Sequence, residues 1–118
     1  MLDYYEGAID ELSNLEHQKL WQNDQVKEYY LSLSEILRAY LEGRFGINAM
    51  ESTTDEIKAD LILEEAMKLK LGEVLTQADL AKFAKFKPQG DENIRMIKIA
   101  KDFVRHTKPQ TIKEINAK

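Results

Sequence analysis

Few side chains in this sequence have a type and spacing that could do chemistry. His17 and His106 are the only histidines. A metal site built on either needs two or three further ligands close by, and no HExxH or related spacing supplies them. The 21 Asp and Glu residues raise the question of a di-iron bundle. That site needs Glu three residues before His on facing helices. Here Asn14 precedes His17 and Phe103 precedes His106, which rejects it. Both histidines instead fall near expected helix C-termini, where a cationic or hydrogen-bonding side chain is favoured. Glu51, Asp55 and Glu56 cluster at an expected helix start and read as capping. With no Cys, disulfides, thiolate zinc sites and a Cys nucleophile are excluded. No GxGxxG, GxxxxGK(S/T) or GxSxG is present, so phosphate cradles and nucleophile elbows are excluded too. The chain is expected to be no enzyme and to carry no catalytic, cofactor-binding or metal-binding residue. The competing reading is an enzyme with an unrecognised acidic site, which needs a pocket of converging Asp, Glu and Arg.

Two charged residues stand in apolar surroundings. Asp79 lies between Ala78 and Leu80, and Arg38 among Ile36, Leu37, Ala39 and Tyr40. An unpaired buried carboxylate costs on the order of several kcal/mol. One or both are therefore expected to be partly buried and hydrogen-bonded, with each other as a candidate partner; simple exposure on a polar stripe is the alternative. Lys82, Lys85 and Lys87 with Phe83 and Phe86 form a basic, aromatic segment of the kind that single-strand binders use. Phe83, however, continues a core stripe and the lysines suit a solvated face. Asp55, Glu56, Asp60 and Glu64 on the third helix would repel phosphate, which argues against a helix-turn-helix.

The elements that must position these residues are helices. Tyr5, Ala8, Ile9, Leu12 and Leu15 recur at three- and four-residue steps and define a first helix. Asn23 or Asp24 can cap a second. Its inner stripe is Val26, Tyr30, Leu33, Leu37, Tyr40 and Leu41, broadened by Tyr29, Ile36 and Phe45, so it is expected to touch more than one neighbour. Gly46 suits its end. Thr53 and Glu56 have capping-box spacing, opening a third helix through Ile57, Leu61 and Ile62 that breaks near Glu65. A fourth is expected over Met67–Phe86. Leu71, Val74, Leu75, Ala78 and Ala81 form one stripe, and Leu80, Phe83 and Ala84 a second, which predicts burial on two sides. Pro88 and Gly90 end it. Asp91 is expected to cap a fifth helix with Ile94, Ile97, Ala100, Phe103 and Val104 facing inward.

Length and composition agree. The 118 residues fit one domain, and 5 Gly with 2 Pro are too few for an all-β chain built on turns. The expected fold is all-α, a compact bundle of about five helices over residues 3–107, with a fraying polar tail at 108–118. No run of about 18 apolar residues crosses a membrane, and no apolar h-region behind a charged n-region suggests a signal peptide. Charge is divided. Residues 1–81 carry 7 Lys and Arg against 17 Asp and Glu, and residues 82–118 carry 10 against 4. A basic last helix packed beside acidic ones explains this, and so does a basic face for an anionic partner.

Read as whole segments, Leu20-Trp21, Lys27-Glu28-Tyr29-Tyr30, Leu33 to Glu42 and Arg44-Phe45-Gly46-Ile47 form one signature. Glu51 with Thr53 to Ile57 forms a second, and Ala78 to Phe86 with Pro88 a third. Over roughly residues 5–107 the chain resembles the soluble cytoplasmic domain of Bacteroidetes membrane proteins related to the BatD (aerotolerance) group, which lie beside MoxR-type ATPases and von Willebrand A-domain proteins. The resemblance implies the cytosolic part of a membrane-anchored protein, tethered to the inner membrane. Its role would be as a non-catalytic protein-interaction domain in an ATPase-linked envelope or stress-tolerance system. The implied partner is the ATPase or the A-domain protein. A monomer or weak dimer is expected. The alternative is a small domain binding nucleic acid or another anionic ligand, although no nucleic acid is expected. Arg38, Asp79, Thr53 and Glu56 are candidate structural polar residues. Trp21 is a candidate for partner binding, because Trp is enriched at binding hot spots, and equally a core plug between the first two helices.

Overall fold

Capping chemistry sets the end of one helix and the start of another. The structure, a computed structural model, describes residues 3–83 and 88–109. Among them are α1 (Asp3–His17), α2 (Val26–Phe45), α3 (Thr54–Asp60), α4 (Glu65–Lys82) and α5 (Gly90–His106), with single 3-10 turns at Trp21–Asn23 and Ala49–Glu51 and no strand. Gly46 closes α2 in the left-handed conformation, φ 70°, its N–H on the Glu42 carbonyl. Thr53 opens α3 with a complete capping box. Its hydroxyl accepts the Glu56 N–H at 3.1 Å, and the Glu56 carboxylate accepts the Thr53 N–H at 2.8 Å.

Several local expectations are corrected. Neither Asn23 nor Asp24 caps α2. Gln25 holds that position without a side-chain bond, while Asp24 is left-handed, φ 63°, and closes the preceding 3-10 turn. Gln89 rather than Asp91 is the cap of α5; the Asp91 carboxylate accepts the Glu92 N–H inside the first turn. The third helix stops at Asp60. Leu61 turns extended and stays buried, which leaves Ile62 96% exposed on a four-residue link to α4. The fourth helix ends at Lys82, with Phe83 as its C-cap. Ala84 and Phe86, expected on its last turn, lie outside the described residues, as do Lys85, Lys87 and the tail from 110 to 118.

Four helices form the bundle. They follow one another around it as α1, α2, α4 and α5, with α5 returning against α1; α3 is a short satellite on α4. Neighbours run antiparallel. The start of α1 meets the end of α2, with the rings of Tyr4 and Tyr40 6.0 Å apart. A Cβ on Gly43 would lie 2.7 Å from Tyr4, so glycine permits this approach. Lys101 of α5 pairs with Glu16, and Lys108, just past the end of α5, sits over the Tyr5 ring at 5.1 Å. Across the diagonal α2 and α5 run parallel: Tyr30 reaches Asn93, and Tyr40 reaches Thr107.

The core is continuous and apolar, with Leu12, Leu33, Leu37, Leu41, Ile57, Leu75, Met96 and Phe103 essentially without solvent contact. The wide apolar face of α2 is used in full, because this helix touches both α1 and α4 along its length. The second stripe expected on α4 is not buried: Leu80 and Phe83 are 50% and 70% exposed. The elements that pack on α4, namely α2, α5 and the short α3, leave these two side chains uncovered. Ile94 is likewise half exposed, and Asn93 takes the inward place beside it.

Candidate functional site

Arg38 leaves the outer flank of α2 where the chain returns along that helix after Gly46. The 3-10 turn Ala49–Glu51 places its carbonyls beside the guanidinium. Nη1 donates to the carbonyls of Ala49, at 2.9 Å, and of Ser52, while Nε donates to Ser34 Oγ at 3.0 Å. Glu42, one turn further along α2, accepts the Met50 N–H at 2.9 Å. Together these two side chains pin the connection to α2 and deliver Thr53 to the start of α3.

Asp79 projects from α4 toward that start and accepts the Thr54 hydroxyl at 2.7 Å. Arg38 and Asp79 thus line one cleft, but they are not bonded to each other. Each finds its partner closer to hand, Arg38 in carbonyls of the returning chain and Asp79 in a hydroxyl. Thr53 also lines the cleft, whereas Glu56 turns to its cap. The cleft has a volume of about 630 Å³ and opens between α2, the 3-10 turn, the start of α3 and the end of α4. Phe83 and Met50 stand at its edges, 70% and 46% exposed. Ser34 also lines it.

The electrostatics are uneven. Glu35, Glu51 and Asp79 line the cleft against Arg38 and Lys82. Among the described residues none of these carboxylates has a cation within ion-pair distance. The phenols whose ionisation the fold shifts lie in the interior. Burial, opposed by the hydrogen bond from Gln77 and helped by Glu92, pushes the Tyr30 phenol up to about 12. Tyr29 and Tyr40 are raised by burial as well. These phenols stay neutral as donors within the fold. Among the described residues no group of three or more His, Asp and Glu could hold a metal ion.

Another cavity, about 690 Å³, lies at the far end of α4 beside Arg44, Ile62, His106 and Lys108. Its cations are engaged within the chain. Arg44 Nε donates to the Thr107 carbonyl at 2.6 Å and its guanidinium covers Phe45 at 4.7 Å, while Lys108 covers Tyr5. His17 bonds the Ser13 carbonyl at 2.7 Å through Nδ1. Neither histidine lines the cleft. Trp21 lies outside it too, half-buried against the core in the turn between α1 and α2. Its ring backs onto the first residue of α5, where a Cβ on Gly90 would come within 3.0 Å. Trp21 therefore packs three elements together.

The chain matches no protein-family model, no curated protein and no solved structure.

Sequence reasoning singled out Arg38, Asp79 and Thr53 but missed Thr54, Met50 and the exposure of Phe83. The spacing of Asp79 and Phe83, one helical turn apart, was a usable signal: it places them on one face of α4. No helix of the described residues is long and apolar enough to cross a membrane.

Proposed function

We propose that this chain is a non-catalytic protein-interaction domain. In this reading it is the cytosolic part of a membrane-anchored protein and meets a MoxR-type ATPase or a von Willebrand A-domain protein in an envelope or stress-tolerance system. The observation that carries the interaction role is the cleft between α2 and α4. It is bordered by two exposed large apolar side chains. Surface apolar groups at a rimmed cleft are what partners bury. The choice of partner rests on the resemblance of the three sequence signatures. An anionic or nucleic-acid ligand has less support, because Arg95 and Lys101 on α5 pair with Glu73 and Glu16 of neighbouring helices. Charge complementarity inside the bundle thereby accounts for part of the acidic and basic division of the sequence.

The test is capture of a purified MoxR-type ATPase on the immobilised full chain, with and without ATP. Nucleotide-dependent capture that falls with Phe83→Ser supports the reading. Absence of capture in both states overturns the ATPase as partner, and the same assay with the A-domain protein then decides the remaining choice.

A further inference from the structure

We infer that the cleft between α2 and α4 takes a basic side chain, arginine or lysine, flanked by an apolar residue on a segment of a protein partner. The inference rests on the interaction reading above and names the chemistry of what binds there.

Asp79 stands on the last turns of α4, four residues before Phe83, the C-cap of that helix, and both line the cleft. A carboxylate beside an exposed aromatic face suits a cation, which gains a charge-assisted hydrogen bond from one and a cation–π contact from the other. Asp79 has capacity to spare. One oxygen accepts the Thr54 hydroxyl, and the other accepts nothing among the described residues. An ionised carboxylate offers about four lone-pair sites. Arg38 makes no bond to Asp79; its Nε and Nη1 hydrogens go to Ser34 and to two backbone carbonyls. Glu35 and Glu51 add negative charge from the facing wall, and Lys82 is the sole exposed cation among the described residues of the lining. The apolar half of the ligand has its own seat. Met50 and Phe83 come from different elements and flank the opening, and the unbranched thioether of Met50 adapts to varied shapes. The cleft volume, about 630 Å³, lies within the range of ligand sites.

The experiment titrates the isotope-labelled full chain with a capped pentapeptide, Gly-Leu-Arg-Leu-Gly, and with its counterpart carrying Glu in place of Arg, followed by amide NMR. The Arg peptide is expected to shift the signals of Ser34, Met50, Asp79 and Phe83 saturably, and the Glu peptide is expected to leave them in place. Asp79→Asn keeps an acceptor for Thr54, and Phe83→Ala removes an exposed ring, so both variants retain the fold. Each should weaken the Arg peptide about five- to tenfold. Equal binding of the two peptides, unchanged affinity in Asp79→Asn, or no saturable shift overturns the inference. ATPase capture that is lost in Phe83→Ala but intact in Asp79→Asn keeps the interaction reading and removes the basic ligand. Peptide binding as expected without capture of either proposed partner keeps the basic ligand and removes those partners.

Discussion

The inner and outer flanks of α2 use polar groups in opposite ways. On the inner flank the phenols are closed upon partners. Tyr29 donates to the Asn93 carbonyl at 2.8 Å, Tyr30 donates to Asn93 Oδ1 at 2.6 Å and accepts from Gln77 at 3.2 Å, and Tyr40 meets the Thr107 hydroxyl at 2.8 Å. All three rings are buried, and these bonds set the register of α5 along α2. On the outer flank Arg38 donates to Ser34 and to the returning backbone, while carboxylates and two apolar side chains remain open to solvent. A closed buried network specifies a fold, because each unmade bond there carries a desolvation penalty. An open cleft costs little to leave empty, which lets it respond to a ligand.

The largest expected break of this contrast is Asn93→Ala. It leaves the Tyr30 hydroxyl without its acceptor and the Pro88 carbonyl without its donor in the core. A loss of about 3 kcal/mol is expected, read as a lower urea midpoint at unchanged slope. Alkaline pH attacks the same seam. Tyr30 titrates at about 12 in the fold against an ordinary 10.0, so the native chain holds its proton longer. Its contribution is complete below pH 10 and is lost as pH climbs toward about 12. Denaturant curves across that window should show stability falling by about 2 kcal/mol, with phenol absorbance rising together with unfolding.

The outer flank should give smaller effects. Arg38→Ala removes three donated bonds and frees the turn at 49–51, for an expected loss of about 2 kcal/mol in thermal unfolding. An unchanged melting temperature would show that the returning chain is held by Glu42 and packing alone. Thr53→Ala removes one half of the capping box and should cost about 1 kcal/mol. Phe83→Ser should change stability by less than about 0.5 kcal/mol while reducing partner capture, which separates the open cleft from the closed seam most cleanly.

Much of this arrangement was legible in the residues. The α2 stripe, the stop at Gly46 and the Thr53–Glu56 box rest on local geometry, and local geometry is carried by neighbours in sequence. The same reasoning misjudged Phe83 and Ile94, both assigned to the core. Helical spacing tells which residues share a face, but not whether another helix covers it. Asn93 shows the converse. Its polar side chain is buried where the Tyr30 hydroxyl of α2 meets it, with the Tyr29 hydroxyl on its backbone carbonyl, and that depends on α2 and α5 running parallel across the bundle.

The sequence by itself determined an all-helical chain, the wide inner face of its second helix and a lack of recognised catalytic motifs. These follow from periodicity, caps and residue chemistry acting within a few positions. Only the tertiary structure decided that Arg38 holds a chain reversal, that Asp79 faces Thr54 instead, and that both open onto one cleft. Those outcomes depend on which surfaces meet across sequence separations of 11, 14 and 25 positions, and no local preference encodes that choice.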